Sequence, residues 1–210
     1  MPAFDLRGIQ VAKYNLTPEA QVSYTGITSV GDAMDVNLEF RFAEGRLYAE
    51  STLAEYIRKC VGGSISVAVK YIPAAAQQLM FGVTAKERSI KFKPAPTEIQ
   101  PSPTETTKKV SGLVTGGHDK SSYCGISFYA PDMVDGTEKY TAVFVPKAMF
   151  GNPSLTFKTA GENIQFNTPT TTGEFLSDGT AGQAMLEAVI LDTEEEAIAW
   201  TKTVLSSAAG

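Results

Sequence analysis

The sequence contains few of the residues that metal centres and disulfide frameworks require. Its 210 residues include one histidine, His118, and two cysteines, Cys60 and Cys124. A zinc site built from four His and Cys ligands is therefore excluded, and one disulfide is the most that could form. Two isolated thiols are typical of a protein that resides in a reducing cytoplasm.

Excess positive charge and long apolar runs are also missing. The chain has 18 Lys and Arg residues against 23 Asp and Glu residues, a net charge of −5. This balance argues against a protein that binds nucleic acid, because phosphate binding needs a clustered excess of Lys and Arg. No apolar run approaches the length of about 18 residues that spans a membrane. The first residues also lack the basic-then-apolar pattern of a secretory signal.

Sequence motifs for catalysis are absent as well. No window matches a phosphate-binding P-loop or the Gly-x-Ser-x-Gly of serine hydrolases. We interpret His118 and Cys124 as a loop histidine and a buried structural cysteine rather than a nucleophilic pair. Asp32, Asp35 and Glu39 could share a strand face, but no cleft or aromatic platform accompanies them. The sequence therefore predicts no catalytic residue, no cofactor and no metal site, and no enzyme.

What the sequence does contain is the alternation that is typical of β-strands. Residues 34–42 are apolar at every second position, which predicts a strand with one buried and one wet face. Asp135-Gly136 separates two β-rich segments and predicts a tight hairpin. The segments predicted as strands are 8–14, 34–42, 63–72, 123–130, 138–145 and 164–176.

Two short helices and one long loop interrupt these strands. Residues 73–82 have a proline at the start and a glycine at the end, which predicts a short helix. Thr193 and Glu196 form a capping box that begins a second helix near 193–207, with Trp200 as an anchor. Residues 93–107 contain four prolines in fifteen positions, which favours an extended loop. Both a mobile linker and a contact arm that orders on a partner fit this loop.

Self-association is the function that these patterns favour. The long strands have wet faces of Ser, Thr, Asn and Asp and only moderate charge to protect their edges. An unpaired strand edge is a template for another chain. Contacts of this kind that close on themselves produce rings, and rings with complementary faces stack into tubes.

Four sequence blocks, in the same order along the chain, resemble the major tail tube proteins of long-tailed, non-contractile phages. The most specific is GENIQFNTPTTTG at residues 161–173. Residues 138–150 resemble the family's aromatic strand and its Lys-x-x-Phe element. Residues 62–82 resemble its strand and short helix, and Leu47-Tyr48-Ala49-Glu50 resembles its Leu-Tyr-Ala-acid step. The loop at 93–107 is longer than the family's usual connection.

The resemblance implies a fold, a domain division and a location. The fold is mainly β, a β-sandwich or half-barrel with one flanking short helix and a C-terminal helical extension. Residues 1–176 would be the tail-tube domain and 177–210 the extension. Hexameric rings would stack into the tail tube of a virion, assembled in the cytoplasm of the bacterial host.

The resemblance also implies the partners. These are further copies of the chain, the tape measure protein, and the tail terminator and distal tail proteins. Phage DNA would pass through the lumen without specific binding, and no membrane is involved. A weakly acidic lumen fits this role, because it repels phosphate over a Debye length of about 8 Å at physiological salt.

Two sets of side chains are candidates for the assembly surfaces. The candidate lumen-facing residues are Asp35, Asn37, Glu39, Arg41, Ser64, Ser66 and Lys70. The candidate ring-stacking residues are Glu44, Arg46, Tyr48, Glu50, Pro96, Glu98, Pro101 and Glu105. An outward orientation of the first set on the tube is the alternative.

A monomeric binding module of a virion, specific for carbohydrate or receptor, is the competing function. It would need an exposed aromatic cluster, for which Tyr123, Phe128, Tyr129 and Tyr140 are the candidates. The same four side chains could instead belong to the core. Oligomeric size separates the two functions, since a module stays monomeric and a tube subunit polymerises.

Overall fold

Antiparallel β-strands make up most of the structure, which is a computed structural model that describes residues 5–19, 21–49, 52–95, 104–154 and 168–206. The elements are β1 (Arg7–Leu16), β2 (Val22–Ser29), β3 (Ala33–Ala49), β4 (Thr52–Val69), α1 (Ala74–Phe81), β5 (Thr84–Phe92), β6 (Thr106–Val114), β7 (Cys124–Val134), β8 (Thr137–Phe150), β9 (Thr170–Phe175), β10 (Glu187–Leu191) and α2 (Glu194–Ser206).

Eight of the strands form one sheet, which folds back on itself at β8. Their order is β2-β1-β7-β8-β9-β4-β3, and β10 also pairs with β8. Residues 140–144 of β8 pair with β10, whereas residues 148–150 pair with β9. Because β8 changes partner along its length, the β9-β4-β3 half can fold over the other half.

The two halves of the sheet enclose one apolar core. Val11 of β1 and Ile126 of β7 pack in the same buried cluster as Ile65 and Val67 of β4. Alternate positions on these strands face away from that cluster. The fold is therefore mainly β, a sandwich-like arrangement with flanking helices, as the sequence predicts.

The predicted turn and first helix are confirmed. Asp135 and Gly136 adopt φ values of 51° and 78°, as a two-residue hairpin between β7 and β8 requires. Gly82 ends α1 in the left-handed conformation, and its N–H donates to the Gln78 carbonyl over 3.1 Å. A Cβ atom at Gly82 would lie 2.3 Å from the Lys120 carbonyl oxygen, so the position also demands close backbone approach.

The C-terminal helix begins with the predicted capping box. The Glu196 N–H donates to Thr193 Oγ1 over 3.3 Å, and the Thr193 N–H donates to Glu196 Oε2 over 3.2 Å. The buried side of α2 contains Ala197, Thr201 and Leu205. Thr201 lies over β7, where its carbonyl accepts a hydrogen bond from Ser127 Oγ over 3.1 Å.

The segment after residue 176 contributes to the main sheet. β10 pairs with β8, and Trp200 of α2 packs against the clusters around Phe144 and Tyr129. This segment and the residues before it thus share one sheet. Within the described residues, neither helix is long and apolar enough to cross a membrane.

Several strand boundaries differ from the predictions. β4 begins at Thr52 and ends at Val69, and β2, β5, β6 and β10 were not predicted. The loop predicted at 93–107 ends before residue 106, because Thr106 and Thr107 already belong to β6 and pair with Phe92 and Lys91. Residues 96–103 and 155–167, which include most of the 161–173 block, lie outside the described residues.

Candidate assembly surfaces

The candidate lumen-facing side chains lie together on three neighbouring strands. Asn37 pairs with Ser66, and Ser66 pairs with Thr172 of β9. Glu39 pairs with Ser64 in the same way. Residues opposite each other in a ladder share a face, so these side chains form one continuous surface. We call this surface the polar face: Asp35, Asn37, Glu39, Arg41, Ser64, Ser66, Lys70, Thr172 and Glu174.

The polar face keeps a small excess of negative charge. Arg41 Nη2 lies 3.0 Å from Glu174 Oε1, and Lys70 Nζ lies 3.3 Å from Asp32 Oδ2. Both pairs are exposed, so each stabilises the fold by less than about 1 kcal/mol. Asp35 and Glu39 form no ion pair within the described part of the chain, which leaves the face acidic.

The strands β3 and β4 continue far beyond the body of the protein. β4 pairs with β9 only as far as Gly63, which lies opposite Phe175. From Phe42↔Cys60 to Ala49↔Thr52 the strands pair only with each other in the described sheet. We call this two-stranded projection the arm: residues 42–49 and 52–60.

The arm corrects one expectation for residues 34–42. Val36 and Leu38 pack against the core, but Phe40 and Phe42 are 44% and 43% exposed. The apolar alternation is real, but the strand leaves the body after residue 41. Phe40 keeps an edge-to-face contact with Phe175, with 5.3 Å between the ring centroids, whereas Phe42 belongs to the arm, so this end of the apolar face is only partly covered.

A β-bulge marks the point at which the arm leaves the body. Arg41 pairs with Gly62 and Phe42 with Cys60, so Val61 is an extra residue. Gly62 has φ 135°, and a Cβ atom there would lie 2.6 Å from the Phe175 carbonyl oxygen. Bulges of this kind bend and twist a strand, so this one sets the direction of the arm.

One side of the arm is an internally paired set of charged and aromatic side chains. Arg58 Cζ lies 3.9 Å from the centroid of the Phe42 ring, and Arg58 Nε lies 3.6 Å from Glu44 Oε1. Arg46 is 3.4 Å from Glu44 Oε2 and stands over Tyr56. A hydrogen bond to Glu44 raises the pKa of Tyr56. Each cation on this side thus has a partner within the arm.

The opposite side of the arm exposes two large apolar side chains next to charged ones. Gly45 pairs with Ile57 and Leu47 pairs with Glu55, so Leu47 and Ile57 share this side with Glu55 and Lys59. Leu47 is 57% exposed and Ile57 is 66% exposed. Nothing in the described part of the chain covers them.

The candidate ring-stacking residues are divided between two projections. Glu44, Arg46 and Tyr48 occupy alternate positions of β3 and share the charged side of the arm. Glu105 is exposed immediately before β6, which forms a separate hairpin with β5. Glu50, Pro96, Glu98 and Pro101 lie outside the described residues.

The thiol and histidine considered as a nucleophilic pair have different environments. Cys124 is fully buried, which raises the pKa of its thiol to about 12 and keeps it protonated. His118 is exposed in the turn after β6, where the Gly116 N–H donates to Asp119 Oδ2 over 2.6 Å. The described residues contain no group of three or more His, Cys, Asp or Glu that could hold a metal ion.

A cleft of about 660 Å³ adjoins the polar face. Ser64, Tyr123, Phe150, Thr172 and Glu174 are among its lining residues. Glu174 is the one carboxylate among the described residues that line it, and it is paired with Arg41. These described residues therefore offer no second carboxylate for acid–base catalysis.

The four aromatic residues proposed as a binding cluster are not exposed together. Phe128 is buried in the main core. Tyr129 is buried on the other side of β7, where its hydroxyl donates to Glu194 Oε1 over 2.9 Å. Lys147 stands between the rings of Tyr14 and Tyr123. These contacts are structural, and three of the exposed aromatic rings lie instead on the arm: Phe42, Tyr48 and Tyr56.

The sequence contained a weak signal for the arm. Polar and charged residues continue to alternate after Phe42, and Gly62-Gly63 interrupts the return strand, which is typical of a bulge. Comparison of the sequence with protein-family models gives no match, and comparison with curated proteins finds no similar sequence.

Proposed function

We propose that this protein is a structural subunit that assembles into stacked rings and forms the tail tube of a long, non-contractile phage. The observation that carries the proposal is the arm, which exposes large apolar side chains on both strands. The family resemblance adds hexameric rings, the tape measure protein, the tail terminator and distal tail proteins, and a place in the virion tail.

The arm supports assembly because no described residue of the subunit covers Leu47 and Ile57. Exposed apolar patches of this kind mark interaction sites in soluble proteins. β3 is also the end strand of the described sheet, and no described strand pairs with its outer edge, which leaves that edge open to another chain. An arm that crosses to the next ring would bury Leu47 and Ile57 and bring Glu44, Arg46 and Tyr48 to the ring interface.

The polar face suits the lumen of such a tube. Its ladder of Ser, Thr, Asn and carboxylate side chains is regular over three strands, and its cations are paired. Unpaired Asp35 and Glu39 would repel phosphate over a Debye length of about 8 Å. DNA would then slide through without specific binding, a structural role that needs no catalysis and no cofactor.

A monomeric binding module has less support. Its candidate aromatic cluster is divided between the core and the α2 side of the sheet. The exposed aromatic side chains of the arm stand next to charged partners along a narrow two-stranded projection. This arrangement lacks the concave surface that small ligands prefer.

Negative-stain electron microscopy of the purified protein, with light scattering across a concentration series, tests the proposal. We expect hollow tubes or uniform rings whose abundance grows with concentration. A species that stays monomeric at every concentration, even when a preformed tail tip is added as an initiator, would contradict the proposal and favour the binding module.

A further inference from the structure

The charge of this protein is unevenly divided, although its total of −5 is small. The strands β5 and β6 carry five basic residues and one acidic residue, a net charge of +4. The rest of the chain therefore has 13 basic and 22 acidic residues, a net charge of −9. We call the two-stranded hairpin of β5 and β6 the ribbon.

Some cations outside the ribbon are paired with carboxylates, and others are not. Arg7, Arg41, Lys70 and Lys139 each lie within 4.0 Å of a carboxylate. Among the described residues, none of the five ribbon cations forms an ion pair. They are Lys86, Arg88, Lys91, Lys108 and Lys109, and all are exposed.

One side of the ribbon combines positive charge with apolar surface. Ladder pairing places Arg88 opposite Val110 and Ile90 opposite Lys108, so these side chains share a side with Lys86 and Phe92. Ile90 and Phe92 are 42% and 41% exposed. The opposite side holds Leu113, which packs against the core at the base. The basic, apolar side is therefore directed away from the body near the base.

A ribbon of this kind needs a partner surface. In the described sheets β5 and β6 pair only with each other, and a lone two-stranded hairpin is marginally stable in water. The required surface must be acidic, to match the unpaired cations, and partly apolar, to cover Ile90 and Phe92. Nucleic acid offers phosphate but little apolar area, because its interfaces are more polar and more charged than those between proteins.

We infer that the ribbon docks onto the acidic body of a second copy of this chain. Outside residues 84–114 the chain has 12 basic and 20 acidic residues, a net charge of −8. The complementary charges of ribbon and body thus lie within a single sequence, so a head-to-tail contact satisfies both parts at once. The inference rests on the proposed self-assembly and adds its electrostatic component, carried by residues other than those of the arm.

Charge reversal on the native full-length chain tests this contact. The triple variant K86E/R88E/K108E reverses the basic side of the ribbon. The control K13E/K120E/K202E makes the same change in net charge at three exposed lysines outside the ribbon that form no ion pair among the described residues. Sedimentation velocity and light scattering at about 50 mM and about 500 mM salt span Debye lengths of about 14 Å and about 4 Å.

We expect the ribbon variant to weaken association at low salt by about tenfold or more, which corresponds to at least about 1.4 kcal/mol, and the control to weaken it far less. Zero-length carbodiimide cross-linking of mixed ¹⁵N-labelled and unlabelled chains should join ribbon lysines to carboxylates of the other copy. The ribbon variant should lose these mixed cross-links.

Two outcomes would overturn the inference in different ways. If the native chain assembles and the ribbon variant assembles equally well, only the ribbon contact is wrong. If the native chain never associates, both the contact and the proposed function are wrong. Retention of full self-association by the ribbon variant together with loss of duplex DNA binding would assign the ribbon to nucleic acid instead.

Discussion

The arm and the ribbon are both two-stranded hairpins that project from the body, but they differ in how their charged side chains are paired. In the arm, Arg58 and Arg46 are held by Glu44, Phe42 and Tyr56. In the ribbon, no cation has a carboxylate partner among the described residues. Both arginines of the arm are therefore paired within it, and Lys59 is its one cation without an ion pair among the described residues, whereas all five cations of the ribbon still require opposite charge.

This difference separates two kinds of contact within one assembly. Burial of Leu47 and Ile57 is a hydrophobic contribution, which salt does not screen. Attraction between the ribbon and an acidic surface falls with ionic strength. We therefore expect the arm to dominate assembly at high salt and the ribbon to matter most at low salt.

Substitution of the apolar side of the arm should have the largest effect. L47D/I57D places two charges where the proposed interface is apolar, so we expect complete loss of tubes at all salt concentrations. Electron microscopy measures the tubes. Circular dichroism should show an unchanged body, because both side chains are exposed in the subunit.

L16D/I190D is the matched control for the arm substitution. Leu16 and Ile190 are 47% and 44% exposed but lie outside the arm. We expect this control to keep the tubes. Normal tubes from L47D/I57D would remove the arm from the proposed interface.

The bulge at the base of the arm should have the next largest effect, on stability. Gly62→Ala puts a Cβ atom 2.6 Å from the Phe175 carbonyl oxygen at φ 135°, which should lower the free energy of unfolding by about 2–4 kcal/mol. Gly45→Ala has open space around its Cβ atom and should change it by less than about 0.5 kcal/mol. Chemical denaturation compares the two variants, and equal stabilities would show that Gly62 is not under strain.

The sequence predicts which side chains share a face better than it predicts what covers that face. Alternation at 34–42 is correct, yet Phe40 and Phe42 are only partly covered because they lie where the strand leaves the body. Asn37 and Ser66 come from separate sequence segments, and only the long-range register shows that they are opposite each other.

The ribbon was missed for a different reason. The net charge averages over the whole chain, so the value of −5 conceals a hairpin of +4. The turn chemistry of Asp135-Gly136 and the capping box at Thr193 were predictable because they depend only on neighbouring residues. The course of the arm and the isolation of the ribbon depend on contacts with distant parts of the chain, and one sequence does not encode them locally.

Removal of one cation from each hairpin should change amide exchange in the arm but not in the ribbon. Arg58→Ala removes the cation above Phe42 and one partner of Glu44, so amide exchange in the arm should become about threefold faster, as expected for a loss of about 0.5–1 kcal/mol. Lys108→Ala removes no ion pair and should leave exchange in the ribbon of the dilute monomer unchanged. Equal acceleration in both hairpins would mean that the cation contacts do not stabilise the arm.

The smallest effect is expected at Glu194, the first residue of α2, which lies in neither the arm nor the ribbon. Hydrogen bonds from Arg7 and Tyr129 lower the pKa of Glu194 below its ordinary value. A carboxyl with a lowered pKa stabilises the folded state above its unfolded pKa, and that contribution is lost as the pH falls through the folded pKa. The native chain should thus melt at a slightly higher temperature than Glu194→Gln at neutral pH, and the gap should close as the solution becomes acidic. A gap that persists at acid pH would assign the effect to packing of the side chain, because the charge on Glu194 is then gone.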